Sequence, residues 1–219
     1  MIKIKHLAII GSTGATGKEL VQLAMQSNYK VTVIERSPDF KRERPNLKII
    51  KGDVTDLGSM LTALENIDFV ISCFGPSNHR QVGNSMSLGA TNIVKACEKN
   101  NIKRLVFMSG FVQSEANDFF YPAFSFFTSL MIKLMRSYYK DSYKDKIIAE
   151  AAIQNSKVDW VIVRASGLNH NAATGEYTAG IKAKVSPFRF LPFADCAQCL
   201  LDAVENNGWT KEIINVGKV

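Results

Sequence analysis

The sequence predicts an α/β fold, a mainly parallel, doubly wound sheet with helices on both faces. Short apolar runs alternate with longer amphipathic ones along the whole chain. The short runs are continuous rather than in-out alternating, the pattern of strands covered on both faces. A third observation is the spacing of Gly11, Gly14 and Gly17 between the first apolar run and the first amphipathic one, which is suited to a tight strand-to-helix turn.

The first strand is read at Leu7–Ile10. The turn Gly11-Ser12-Thr13-Gly14-Ala15-Thr16-Gly17 follows, and then a helix over about 15–27. A second strand, Lys30 to Glu35 with its apolar stretch at Val31–Ile34, ends in Glu35-Arg36, about twenty residues beyond the glycines. The unit reads as a dinucleotide-binding turn. Its glycines let the backbone approach a pyrophosphate, and the helix points unsatisfied N–H groups at the negative charge. A structural turn beside an empty crevice is the plainer alternative.

The third strand, Leu47–Ile50, leads into Gly52-Asp53-Val54-Thr55-Asp56 and a helix over about 57–65. Asp53 is placed to accept from an adenine amino group, with Val54 beside it; Asp56 or Thr55 as a helix cap explains the same residues locally. The fourth strand, Phe69–Ser72, runs into Cys73-Phe74-Gly75-Pro76. Small residues there let the chain pass close to a cofactor, making Phe74 and Gly75 contact candidates, although a simple turn accounts for them too.

A helix over about 84–99 stops at Asn100-Asn101, and the fifth strand is Leu105–Met108. Ser109 follows it, where a hydroxyl can reach a nicotinamide ring or a substrate carbonyl, or merely cap a loop. The stretch from Phe119 to Phe127 holds six aromatics in nine positions. It is interrupted by Pro122 and followed by Lys133 and Arg136, too broken to span a bilayer. Core, a wall of an acceptor pocket or subunit contact, and a membrane-surface helix all remain open for it. A helix over about 125–155, a sixth strand at Trp160–Val163, a helix over about 193–206 and an edge strand from Glu212 to Val216 complete the chain.

At 219 residues, with 46% hydrophobic and 21% charged residues, the chain suits one domain, 1–219, with a small substrate-side lobe from its C-terminal third. The net charge of +7 is spread out, without the dense clusters of nucleic-acid binders, so no nucleic acid is expected. Lys41-Arg42-Glu43-Arg44 stands apart: a solvated loop, or positive charge beside a cofactor's ribose phosphate. The start Met1-Ile2-Lys3-Ile4-Lys5-His6 has no apolar h-region, which predicts a cytoplasmic protein with no membrane span. Cys73, Cys97, Cys196 and Cys199 are expected as free thiols. Cys196 and Cys199 have CxxC spacing inside a helix pattern, where packing explains them better than redox or metal work, and no metal is expected.

The order GSTGATG, Gly52-Asp53-Val54, Gly89-Ala90-Thr91-Asn92-Ile93-Val94-Lys95-Ala96-Cys97, Lys103 to Ser109, and Asp159-Trp160-Val161-Ile162-Val163-Arg164 resembles the atypical short-chain dehydrogenase/reductases over nearly the whole chain. Within them it is similar to the NAD(P)H-binding branch of NmrA-like proteins and flavin reductase/biliverdin-IXβ reductase, the last echoed by Thr174-Gly175-Glu176-Tyr177-Thr178. The resemblance implies a Rossmann-like core holding NADP or NAD, with a small-molecule acceptor over the nicotinamide.

Catalytic members of the wider superfamily use a Tyr-x-x-x-Lys pair, in which the lysine lowers the tyrosine pKa. The matching lysine here is Lys146, and Ser142 stands in the tyrosine's slot. Tyr143 is next to it, but one residue along a helix turns a side chain by about 100°. Hydride transfer to a flavin or quinone, which needs no strong protein acid, survives this; so does no turnover at all, as in NmrA-like dinucleotide sensors. An epimerase or dehydratase is weakened by the same gap.

Glu35 occupies the place of an acidic residue that would accept from a free 2′-hydroxyl, whereas Arg36 lies where NADP-binding relatives carry an arginine. NADP is favoured over NAD. The expectation is an NAD(P)H-dependent oxidoreductase acting on a small planar or carbonyl acceptor, as a monomer or homodimer. Gly11 to Gly17 hold the pyrophosphate, Arg36 the 2′-phosphate and Asp53 the adenine, while Ser109 and Lys146 orient the acceptor or the nicotinamide ribose.

Overall fold

The computed structural model describes residues 4–75, 83–110, 130, 133–134, 137–138, 140–186 and 188–219. Among the described residues the main sheet contains eight strands: β1 (His6–Ile10), β2 (Lys30–Glu35), β3 (Leu47–Lys51), β4 (Phe69–Ser72), β5 (Arg104–Gly110), β6 (Trp160–Ala165), β8 (Thr178–Gly180) and β10 (Glu212–Gly217). They lie in the order β3-β2-β1-β4-β5-β6-β10-β8. Pairing is parallel throughout except at the edge, where β8 runs antiparallel to β10. A separate two-stranded ribbon joins β7 (Leu168–Asn169) to β9 (Leu191–Pro192).

The continuous apolar runs are explained by helices on both faces. Leu7, Ile9, Val31, Val33, Ile71, Val161 and Val163 point toward α1 (Ala15–Gln26) and α5 (Phe193–Asp202), where Leu20, Ala24, Cys196 and Leu200 meet them. The intervening residues, among them Ala8, Ile10, Val70, Leu105 and Ile162, face α2 (Leu57–Ala63), α3 (Ser85–Lys99) and α4 (Lys140–Gln154) through Met60, Ile93 and Ile153. Phe107 is 1% exposed in this second layer. Truncating such a side chain to Ala costs about 3–5 kcal/mol.

Local chemistry sets several element ends. Asp56 caps α2, accepting from the Gly58 N–H at 2.9 Å, so the local explanation offered for Asp56 is realised. Asn28 and Asn101 take positive φ, +60° and +53°, just beyond α1 and α3, and release the chain into the next strand. The helix expected over 193–206 ends earlier, at Asp202. Asn206 accepts from the Gly208 N–H at 3.0 Å and opens a separate 3-10 turn, which uses up the stop signal read as the helix end. Of the helix expected over 125–155, the structure gives Lys140–Gln154 as α4; the aromatic run 119–127 lies outside the described residues.

Two buried side chains tie distant elements together. Arg104, 3% exposed at the start of β5, donates to Asp159 through Nε (2.9 Å) and Nη2 (2.7 Å). It also donates to the Ala203 and Asn206 carbonyls and to Thr210 Oγ1, so one guanidinium fastens the α5–β10 connection. Asp145 on α4 accepts from the Met86 and Ser87 N–H groups at 2.8 and 3.0 Å. It caps α3 from a neighbouring helix, since Asn84, the residue at that end, makes no side-chain cap.

Candidate cofactor-binding site

From β1 the chain leaves toward β2 on one side, while β4 lies on the other, so a crevice opens between the C-terminal ends of β1 and β4. Gly11, at φ +85°, crosses this point. A Cβ there would lie 2.8 Å from the Cys73 backbone carbon and oxygen, so only glycine lets the two strand exits pass. At Gly17 a Cβ would lie 2.1 Å from the Gly11 carbonyl oxygen, which presses the first turn of α1 against the end of β1. Gly14 stands at the N-cap of α1, with no side-chain cap and no acidic residue in the first turn. The amide cluster at that end is therefore left uncapped by its own helix, as a diphosphate site requires.

The crevice is a cleft of about 460 Å³. Gly11, Thr13, Gly14, Arg36, Val54, Phe74 and Gly75 line it, together with Ile10, Ile34, Glu35, Ser37, Gly52 and Cys73. Burial pushes the Cys73 thiol up to about 12, so it meets the cleft as an uncharged wall. Ala15, Thr16 and Gly17 stand behind the lining in the first turn of α1. Ser12 is buried and is not part of the lining; it donates through Oγ to Glu35 Oε1 at 2.7 Å.

Asp53 is set back from the wall that Gly52 and Val54 form. Its Oδ1 accepts from the Thr55 N–H at 2.9 Å and the Thr55 hydroxyl at 2.8 Å. These two donations hold its carboxyl below the usual carboxylate range, and Arg36 adds to the effect, which puts the Arg36 charge near Asp53.

Glu35 is the residue whose surroundings the sequence left open. Its side chain is 4% exposed and both oxygens are engaged, Oε1 by Ser12 and Oε2 by the Arg42 guanidinium. The signal was present in part, as a serine within the glycine turn and an arginine seven residues beyond Glu35.

The two residues read as catalytic lie outside this lining. Ser109, on β5, is 5% exposed, and its hydroxyl has no partner among the described residues. Its register partner is Arg164 on β6, which donates to Glu150 of α4 at 2.7 Å. Lys146 stands one helical turn before Glu150; burial pushes its ammonium pKa down and Glu150 partly offsets this. Ser142, in the slot of the absent tyrosine, is 4% exposed. Cys196 and Cys199 are buried in the layer between α5 and the sheet as free thiols. Among the described residues no group of three or more His, Cys, Asp or Glu is arranged to hold a metal, and no described helix is long and apolar enough to cross a membrane.

Comparison with known proteins agrees with this geometry. A family model described as NAD(P)H-binding matches residues 11–207. An uncharacterized chloroplastic protein of Arabidopsis thaliana is 25% identical over 185 residues, covering 80% of this chain and 63% of its own length. The chain thus spans less than two thirds of that relative. Among solved structures, the anaerobilin reductase ChuY of Escherichia coli O157:H7 superposes with a TM-score of 0.78 at 18% identity, over 98% of this chain and 97% of its own. A short-chain dehydrogenase/reductase of Veillonella parvula in complex with NADP gives 0.72 at 18% identity, over 99% and 95%. With the glycine cradle, the uncapped helix and the strand order in place, the chain belongs to the NAD(P)H-binding family and has a Rossmann-like α/β fold.

Proposed function

We propose that the protein is an oxidoreductase that binds NADP(H) in preference to NAD(H) and reduces a small planar or carbonyl acceptor such as a flavin or quinone. The observation that carries this is the cleft at the β1/β4 divergence, lined by the glycine turn at one end and Arg36 at the other. A bound nicotinamide cofactor would supply the hydride. The α1 amides hold the diphosphate charge, and Arg36, with Lys41, Arg42 and Arg44 nearby in sequence, offers positive charge to a 2′-phosphate. Asp53, kept ionised by Thr55, is an acceptor at the adenine end. Ser109 and Lys146 act at the nicotinamide end: the first presents a hydroxyl with no described partner, the second an ammonium whose charge is weakly solvated.

Titration with NADPH and NADH, followed by NADPH oxidation on addition of flavins, quinones and aldehydes, tests the reading. NADPH should bind, and at least one acceptor class should accelerate its oxidation. Absence of binding by either cofactor at millimolar concentration overturns it. Ser142 favours a second reading, a non-catalytic dinucleotide sensor, because a buried serine cannot act as the phenol does. A sensor would bind the cofactor, leave it unoxidised with every acceptor and change its association with a protein partner.

A further inference from the structure

The cleft contains a buried carboxylate where a cofactor carrying a 2′-phosphate should find none. Glu35 lines the cleft at the end of β2, in the position where a free carboxylate would accept from a ribose 2′-hydroxyl and repel a 2′-phosphate. It is not free. Ser12, inside the glycine turn, donates to Oε1 at 2.7 Å, and Arg42 neutralises Oε2.

The two partners are held very differently. Ser12 is 3% exposed and belongs to the turn whose path Gly11 and Gly17 dictate, so its bond fixes the Glu35 carboxylate. Arg42 has a 45% exposed side chain and stands on a single 3-10 turn, Phe40–Arg42. That turn is capped by Asp39, which accepts from the Lys41 N–H at 3.1 Å. Its backbone is anchored, while the guanidinium reaches inward from solvent to a buried anion. A long, exposed arm of this kind can change partner at little cost, whereas the carboxylate cannot follow it.

We propose that Glu35 and Arg42 form an exchangeable ion pair that sets the cofactor preference of the site. With NADH, Glu35 keeps Ser12 and Arg42 and offers a remaining lone pair to the 2′-hydroxyl. With NADPH, the 2′-phosphate takes the Arg42 guanidinium from Glu35, and Ser12 alone holds the carboxylate back. Arg36 lines the same cleft and supplies charge in both states. Arg42 is therefore the specificity-determining residue, Glu35 the element that makes its release costly, and the site admits both cofactors. This rests on the cofactor reading above and extends it to the residues that discriminate.

The test is the dissociation constants of NADPH and NADH, from cofactor fluorescence, for the whole chain and for Arg42→Gln, Glu35→Gln and Arg36→Gln, each checked by circular dichroism and melting temperature. Arg42→Gln should weaken NADPH about tenfold or more, the worth of a hydrogen bond between charged groups, and leave NADH little changed. Glu35→Gln, whose amide oxygen still accepts from Ser12, should weaken NADH and tighten NADPH because Arg42 is released. Arg36→Gln should weaken NADPH without tightening NADH. An Arg42→Gln variant that keeps the parental NADPH-to-NADH ratio, whether it binds both as before or loses both equally, overturns the exchange and leaves the cofactor reading standing. A parental protein that binds neither cofactor overturns both.

Discussion

Gly17→Ala sets two effects of opposite sign against each other. Gly17 lies in the first turn of α1, and alanine is favoured over glycine in a helix by about 1 kcal/mol. Against this stands the geometry: a Cβ at 17 would lie 2.1 Å from the Gly11 oxygen, 2.8 Å from the Gly11 carbon and 2.8 Å from the Ser12 Cα. All three neighbours are backbone, so no flexible side chain can yield, and Gly11 runs so close to Cys73 that a Cβ on it would lie 2.8 Å from the Cys73 backbone. The carbonyl must move by about 1 Å to reach ordinary contact, an overpacking that costs about 1–3 kcal/mol or more. Overlap wins, and the movement falls on the turn proposed to hold the diphosphate.

Thermal denaturation should show G17A melting at least a few degrees lower, since each kcal/mol is worth about 2–4 °C in a domain of this size. NADPH binding should weaken more than tenfold. Gly58→Ala is the matched control, because its Cβ would meet nothing nearer than Asp56 Oδ1 at 3.4 Å, and it should be neutral or slightly stabilising. If G17A melted with or above the parental protein and bound NADPH normally, the close approach of α1 to β1 would not be what shapes the site.

Three further outcomes are expected. Arg104→Met should destabilise by about 3–5 kcal/mol in chemical denaturation, because it strands Asp159 and two carbonyls that the buried guanidinium now satisfies. Ser109→Ala removes a buried hydroxyl without a described partner, so it should leave the melting temperature unchanged or raise it while slowing NADPH oxidation; a clear loss of stability would show that Ser109 is structural. At Asp195, burial opposes the charge, but the donations from Thr174 Oγ1 and the Gly175 and Thr174 N–H groups outweigh it and hold the carboxyl below its ordinary range. A group depressed in the folded state stabilises above its unfolded pKa of about 3.9, and that stability fades as pH falls through the folded value. Asp195→Asn should therefore flatten the acid limb of the stability profile below about pH 4, measured by denaturant midpoints against pH.

The line between what was legible in the chain and what was not follows the range of the interactions. The turn from Gly11 to Gly17, the seven principal strands and the Asp56 cap were readable because each depends on neighbours a few residues away, on backbone sterics or on periodicity. β8, three residues long, and the two-residue β7 and β9 escaped because so short a segment carries no period and exists only where a partner strand offers its edge. The same limit applies within the site. Val54, Phe74, Gly75 and Arg36 follow from strand ends, whereas the setback of Asp53 depends on Thr55 competing for its carboxylate.

By itself the sequence determined the doubly wound α/β core and the tight glycine turn between β1 and α1, since both are written in local conformational needs that few other residues satisfy. Tertiary structure decided the pairings: Ser12 and Arg42 on Glu35, Arg104 across the α5–β10 connection, Asp145 on the end of α3, and Ser109 left without a described partner. A buried polar group takes whatever partner packing brings within about 3 Å. No spacing along the chain encodes that distance until the sheet and its two helical layers have closed.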